Sequence, residues 1–191
     1  MIQLAELFYS IQGEGAWSGT PAVFIRLAGC NLACDFCDTD YALKFIANVE
    51  EVVARVRELG GDCPMVILTG GEPLAQKETL ALIDALRADG RRVHIESNGT
   101  IAAALPSDVW LCVSPKERVD PQMAARANEA KLIVDERVPE EHLHLFPSLN
   151  VILLQPEGNK PKNIDLALEY ALKHPARFRL SLQTHKMIGV R

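Results

Sequence analysis

Short β-rich apolar runs alternate with amphipathic helical stretches along this chain, and that alternation constrains its fold more than any other feature. The runs are Ala22–Leu27, Met65–Thr69, Arg92–Ser97, Val109–Val113, Lys131–Asp135 and Val151–Gln155. Helical periodicity covers Val49–Leu59, Lys77–Ala88 and Ile164–Lys173. Strands separated by helices predict parallel βα units with both sheet faces covered. The first two helices should stop at Gly60-Gly61 and Gly90, and the third before His174-Pro175. About six units fall short of a full eightfold barrel, which needs about 250 residues. The expectation is a single α/β domain over residues 1–191, a truncated βα barrel of about six parallel strands. A flavodoxin-like open sheet competes, and both folds place chemistry at strand C-terminal ends.

Composition narrows the function classes. No run approaches the roughly 18 apolar residues of a bilayer-spanning helix, and Met1–Glu6 lacks the basic flank and apolar core of a signal peptide. A cytoplasmic protein without membrane contact is expected. A net charge of −5 argues against nucleic acid as a partner. Arg87, Arg91 and Arg92 form the densest basic group, read as a solvated helix end. The chain has five cysteines, an odd number, and three fall between residues 30 and 37. A secreted disulfide framework spreads an even number, so the cluster points to a metal in a reducing compartment.

Cys30, Cys34 and Cys37 have the spacing C-x3-C-x2-C directly after a strand. Three thiolates on one segment suit three corners of a [4Fe–4S] cube, leaving the fourth iron open. The same positions also share one face of a helix, where cysteines pack as small hydrophobes. Gly29 and Asn31 favour a loop instead. Structural zinc would need a fourth ligand, for which only Cys63, Cys112 and five scattered histidines are available. Polar loops recur at later strand ends: Thr69-Gly70-Gly71-Glu72-Pro73, Glu96-Ser97-Asn98-Gly99-Thr100, Ser114-Pro115-Lys116 and Gln155-Pro156-Glu157-Gly158. Each alone is compatible with a turn, but together they describe a cofactor-binding rim, with Glu96 and Asn98 suited to a ribose.

The cysteine spacing, Phe36 before the last cysteine and Gly-Gly-Glu-Pro after the second strand resemble the radical S-adenosylmethionine (SAM) superfamily. That resemblance implies a cluster on Cys30, Cys34 and Cys37 whose open iron chelates SAM. One electron then cleaves the sulfonium and releases a 5′-deoxyadenosyl radical. It implies SAM contacts from Phe36, Cys37, Asp38, Gly71, Ser114, Pro115, Lys116, Gln155, Pro156, Glu157 and Gly158. Cys63 and Cys112 belong to no ligand pattern and read as structural.

Two further segments, Phe8-Tyr9-Ser10-Ile11-Gln12-Gly13-Glu14-Gly15 and Ser181-Leu182-Gln183-Thr184-His185-Lys186, complete the pattern with Cys37-Asp38-Thr39-Asp40. Gly13-Glu14-Gly15 is not a dinucleotide fingerprint, because the third glycine and the βαβ setting are missing. From Phe8 to Arg191 the chain resembles the 7-carboxy-7-deazaguanine synthase family of the queuosine pathway. The resemblance implies ring contraction of 6-carboxy-5,6,7,8-tetrahydropterin with loss of ammonia, SAM being regenerated. It places the substrate on Ile11, Gln12, Gly13, Arg26, Thr69, His185 and Arg191, and Mg²⁺ on Thr39. It also implies a homodimer and an electron donor such as flavodoxin or ferredoxin. No side chain is assigned to catalysis beyond the cluster and SAM. A glycyl-radical-enzyme activase is the alternative, although it leaves both further segments unexplained.

Overall fold

The computed structural model describes residues 1–191, and its contacts cluster into two interleaved units. The first comprises Met1–Ile11, Pro21–Ser97 and Ala103–Trp110; the second comprises Gln12–Thr20, Asn98–Ala102 and Leu111–Arg191.

In the first unit, β1 (Ile2–Ile11), β2 (Pro21–Leu27), β3 (Phe45–Ala47), β4 (Met65–Gly70) and β5 (Arg92–Ser97) lie in the order β3-β1-β2-β4-β5. β2, β4 and β5 run parallel, as the alternation predicts. Val23, Ile25, Val66, Ile67, Leu68 and Ile95 are fully buried among them. Each such side chain contributes about 1.5–3 kcal/mol on burial. β1 pairs antiparallel with both β2 and β3, an arrangement the sequence reading did not anticipate. Its register slips between Leu4 and Glu6. A bulge moves later residues to the other face, so Ile2, Leu4, Ala5 and Phe8 are buried without regular alternation.

Helices α1 (Val49–Gly60) and α2 (Thr79–Ala88) follow β3 and β4. The first begins with a capping box: Glu51 N–H donates to Asn48 Oδ1, and Asn48 N–H donates to Glu51, both at 2.8 Å. Both helices stop at the expected glycines. α2 starts two residues later than its periodicity suggests, because Pro73–Ala75 forms a 3-10 turn whose Pro73 carbonyl accepts from Thr79 Oγ1 at 2.5 Å. The basic group beyond α2 is not simply solvated. Arg91 is nearly buried; it donates to Asp89 at 3.0 Å and to the Gly61 carbonyl at 2.8 Å.

The second unit holds β6 (Trp110–Val113, all but its first residue), β7 (Glu129–Val134), β8 (Ile152–Pro156) and β9 (Phe178–Leu180). Neighbours in this series are parallel. Helices α3 (Pro121–Arg126), α4 (Pro161–Lys173) and α5 (Thr184–Ile188) accompany them. β9, α3 and α5 are too short for a readable period. No helix of the chain is long and apolar enough to cross a membrane.

Replacing Asn48 with Ala should remove half of the α1 capping box and cost about 1 kcal/mol. Urea unfolding should show a lower midpoint with an unchanged slope.

Candidate functional site

In the first unit, Gly29–Lys44 leaves β2 as an irregular loop with no helix in it. The three cysteines therefore do not form a packed helical face. All three are free thiols, half-buried at Cys30 and Cys34 and exposed at Cys37. Leu32 N–H donates to Cys30 Sγ at 3.4 Å, the kind of contact that stabilises a thiolate. A turn is closed from Cys37 N–H to the Cys34 carbonyl at 3.1 Å. By contrast, Cys63 and Cys112 are buried.

The end of β4 is built onto the start of this loop. Glu72 N–H donates to the Gly29 carbonyl at 3.1 Å. A Cβ on Gly71 would lie 2.1 Å from that carbonyl and 2.5 Å from Cys30 Cβ, so only glycine lets the two backbones meet. Glu72 is fully buried, and its carboxylate accepts from Leu74 N–H and Ser97 Oγ, each at 3.0 Å. The Gly-Gly-Glu-Pro segment is thus a brace between the loops after β2, β4 and β5 rather than a solvent turn. Phe36 and Asp38 are exposed beyond it, and Thr39 is half-buried.

Arg26 stands on β2 directly beside Thr69 of β4 in the parallel register. Its Nε donates to Glu6 at 3.3 Å, and its guanidinium lies 5.9 Å from the Phe8 ring centre. The pair is half-buried.

The second unit gathers the other predicted residues. Ser114 and Lys116 follow β6; Lys116 Nζ donates to Ser114 Oγ at 2.6 Å, and Ser114 Oγ donates to the Lys131 carbonyl at 2.9 Å. Pro115 and Pro156 are buried, whereas Gly158 is exposed in a 3-10 turn after β8. The Glu157 carboxylate pairs with Lys160. Asn98 is turned into its own loop, accepting from Thr100 N–H at 2.9 Å and Oγ1 at 2.7 Å.

The Gln12–Thr20 loop joins the chain's last segment. Thr184 N–H and Oγ1 both donate to the Gly13 carbonyl at 2.9 Å. The His185 ring packs so closely that a Cβ on Gly13 would lie 2.0 Å from Nδ1. Ile11 ends β1 before this loop, and Arg191 is exposed beyond α5.

Four residues to which the sequence reading gave no role of their own fasten this loop: Glu14 within it, and Glu129, Lys131 and Gln183 outside it. Glu129 accepts from Ala16 N–H at 3.1 Å. Lys131 Nζ donates to Glu14 at 2.5 Å, with side chains 5% and 16% exposed. Gln183 Nε2 donates to the other Glu14 oxygen at 2.9 Å. Burial alone would raise the Glu14 pKa, but the Lys131 ammonium, with hydrogen bonds from Lys131, Gln183 and Gln155, holds it at about 2. The available signal was a lysine opening an otherwise apolar strand run, since a buried ammonium requires a partner.

The residues fit the groups the cysteines imply. Three free thiols on one loop suit an iron–sulfur cluster, and glycine backbone lies against Cys30. Gln155 is 4% exposed, and its Oε1 accepts no hydrogen bond from the protein, leaving an acceptor for a ligand.

These features are those of a radical SAM domain. The Radical SAM superfamily model matches residues 24–110. A 7-carboxy-7-deazaguanine synthase of Bacteroides thetaiotaomicron is 40% identical, with 100% of both chains covered. One from Bordetella pertussis is 41% identical over 97% of each. The chain belongs to the 7-carboxy-7-deazaguanine synthase family. The crystal structure of QueE from Escherichia coli superposes with a TM-score of 0.82 at 31% identity, covering 95% of this chain and 93% of that one. The expected α/β fold with largely parallel strands is the fold observed. SuiB from Streptococcus suis, 11% identical with a TM-score of 0.56, shares the fold alone; it covers 80% of this chain and 46% of its own.

A carboxyl held at about 2 in the folded protein, against an ordinary 4.5, adds stability above about pH 4.5. That contribution is lost as pH falls toward 2. Lys131→Met should therefore cost about 3–5 kcal/mol at pH 7, where it strands the buried Glu14 anion. The deficit measured by urea unfolding should shrink at pH 4, as Glu14 becomes protonated.

Proposed function

We propose that this chain is a lyase that contracts 6-carboxy-5,6,7,8-tetrahydropterin to 7-carboxy-7-deazaguanine with release of ammonia, in queuosine biosynthesis. The observation that carries the reading is the union of Gln12-Gly13-Glu14-Gly15 with Gln183-Thr184-His185. An activase acting on a partner protein's glycine gives no reason for that construction, whereas a small planar substrate does. Full-length likeness to relatives of that name supports the same reading.

Cys30, Cys34 and Cys37 would hold the [4Fe–4S] cluster beside SAM. When bound, the pair supplies the carbon radical that abstracts hydrogen from the substrate. The protein's own work is positioning and exclusion of water. Gly71 admits backbone to the cluster loop. Phe36, Cys37 and Asp38, with Ser114, Pro115, Lys116 and Gln155–Gly158, hold SAM. Ile11, Gln12, Gly13, Thr69, His185 and Arg191 hold the pterin ring, and Arg26 neutralises its carboxylate. Arg26 Nε is engaged by Glu6, while its Nη groups remain available for a carboxylate. The Thr39 hydroxyl would be the protein's contribution to a bound Mg²⁺, a hard cation that takes oxygen ligands and would offset negative charge on the substrate. The working protein is a cytoplasmic homodimer reduced by a flavodoxin- or ferredoxin-type donor.

Product analysis of the reduced, reconstituted protein with SAM and the carboxylated pterin tests the function; SAM cleavage without any deazaguanine would refute it. Arg26→Ala should bind SAM normally and cleave it without productive coupling, while substrate KM rises at least about tenfold. Parental KM would remove the carboxylate clamp.

Thr39→Ala should keep the cluster absorption spectrum yet lose most of the stimulation of turnover by Mg²⁺. Full stimulation in the variant would show that the ion is held elsewhere.

A further inference from the structure

The turn after β8 is fastened on two sides. Asn163, buried in the first turn of α4, donates from Nδ2 to the Glu157 carbonyl at 3.3 Å. On the other side Asn159 reaches the segment before α5. Its Nδ2 donates to the Gln183 carbonyl at 3.0 Å, and its Oδ1 accepts from Gln183 N–H at 3.1 Å. One primary amide thus satisfies both backbone groups of a single residue, as a paired strand would. Asn159 has φ 52 and follows Gly158 at φ 60, two successive left-handed residues. Asparagine is one of the few side chains that enter this region readily. Gln183 carries the connection onward. Its Nε2 donates to Glu14 at 2.9 Å, and the next residue's N–H donates to the Gly13 carbonyl at 2.9 Å. A run of hydrogen bonds therefore leads from the Gln155–Gly158 loop, through Asn159 and Gln183, to the Gln12–Thr20 loop.

We infer that Asn159 is a positioning residue that couples the two ligands, so that SAM at the loop after β8 and the pterin at Gly13 and His185 each tighten the binding of the other. This rests on the proposed function, which puts SAM on Gln155–Gly158 and the pterin on Gln12, Gly13 and His185; Asn159 belongs to neither set. A ligand that stills one end of the run removes motion from the other. The second ligand then meets a segment already ordered and loses less entropy on binding. Linkage makes the factor the same in both directions. The two ligands then occupy the protein together more often than independent sites would allow, which limits radical formation without a substrate beside it.

Asn159→Gly supplies the test, because glycine keeps the left-handed backbone without strain while removing both bonds to Gln183. The affinity of the anaerobically reconstituted protein for the carboxylated pterin is measured by equilibrium dialysis, with and without saturating S-adenosylhomocysteine. In the parent, the pterin Kd should fall at least about fivefold when S-adenosylhomocysteine is bound. Hydrogen exchange at the Gln183 amide should also slow on adding S-adenosylhomocysteine alone. In Asn159→Gly the factor should drop close to one, and exchange at Gln183 should no longer respond. A residue that merely supported the fold would, when replaced, weaken each ligand and leave the parental factor intact. Asn159→Asp keeps the acceptor for Gln183 N–H but sets an anion against the Gln183 carbonyl, so its factor should fall as well. It supplies the test if the glycine variant loses its cluster absorption spectrum. A parental factor in either variant, or a parent whose pterin Kd is indifferent to S-adenosylhomocysteine, would overturn the inference. A parent that forms no deazaguanine would refute the function and the inference together, whereas deazaguanine formed without coupling refutes the inference alone.

Discussion

A carboxylate taken out of water has to be met by donors or it will not stay ionised. At Glu14 those donors come from segments far apart in the chain, and meeting them ties the Gln12–Thr20 loop to β7 and to the segment before α5. Lys131 is 117 residues away and Gln183 is 169 residues away. The Gln12–Thr20 loop is further pinned where Gly15 N–H donates to Ser181 Oγ at 2.9 Å and Ala16 N–H donates to Glu129. Breaking one contact therefore loosens the others, which is the behaviour expected of a connected buried polar network. The Gly13 carbonyl and the His185 ring are held in place by this network rather than by local turn preference.

The first unit solves a different problem. Its cysteine loop has no regular structure to order it, so order is imposed from β4. The Glu72 backbone donates to Gly29, the Glu72 side chain ties Leu74 and Ser97 together, and Gly71 lets the two segments approach within contact distance. Gly29 N–H in turn donates to the Tyr41 carbonyl at 2.9 Å, closing the base of the loop. Three thiols are presented on a tethered but largely exposed segment, which suits a loop that wraps a bulky inorganic cluster better than a closed four-ligand zinc site would.

The parallel strands and long helices were legible in the sequence because each carries a full period of apolar residues and a terminator. β1 was not, since its bulge breaks the alternation at Leu4 and Glu6 and its partner strand runs antiparallel. The cysteines and glycine turns were legible through their chemistry and spacing. Glu14, Lys131, Gln183 and Glu129 were not, because their roles exist only once residues more than a hundred positions apart are brought together. Lys131 and Glu129 do leave a trace, as charged residues inside a buried strand. Such residues are expensive unless paired, so their presence in an apolar run is itself evidence of a partner.

That kind of pairing also separates two ways of making a binding rim. A rim of solvent-facing polar side chains adapts to whatever arrives and loses rotamer freedom on binding. The second unit instead has the groups around Glu14 committed before any ligand arrives. Gln183 donates to Glu14 and accepts from Lys186 at 2.9 Å, and its backbone N–H and carbonyl are both engaged by Asn159. A radical reaction gains from such commitment, because a reactive carbon centre attacks whichever hydrogen lies nearest. Selectivity then depends on holding the substrate to within a fraction of an ångström, which rigid, mutually satisfied side chains do better than mobile ones. The acidic residue at the middle of the arrangement is, on this argument, valuable because it does not titrate. With its pKa at about 2 it remains an anion through the physiological range, and the orientation of every donor around it stays fixed while protons move elsewhere in the reaction.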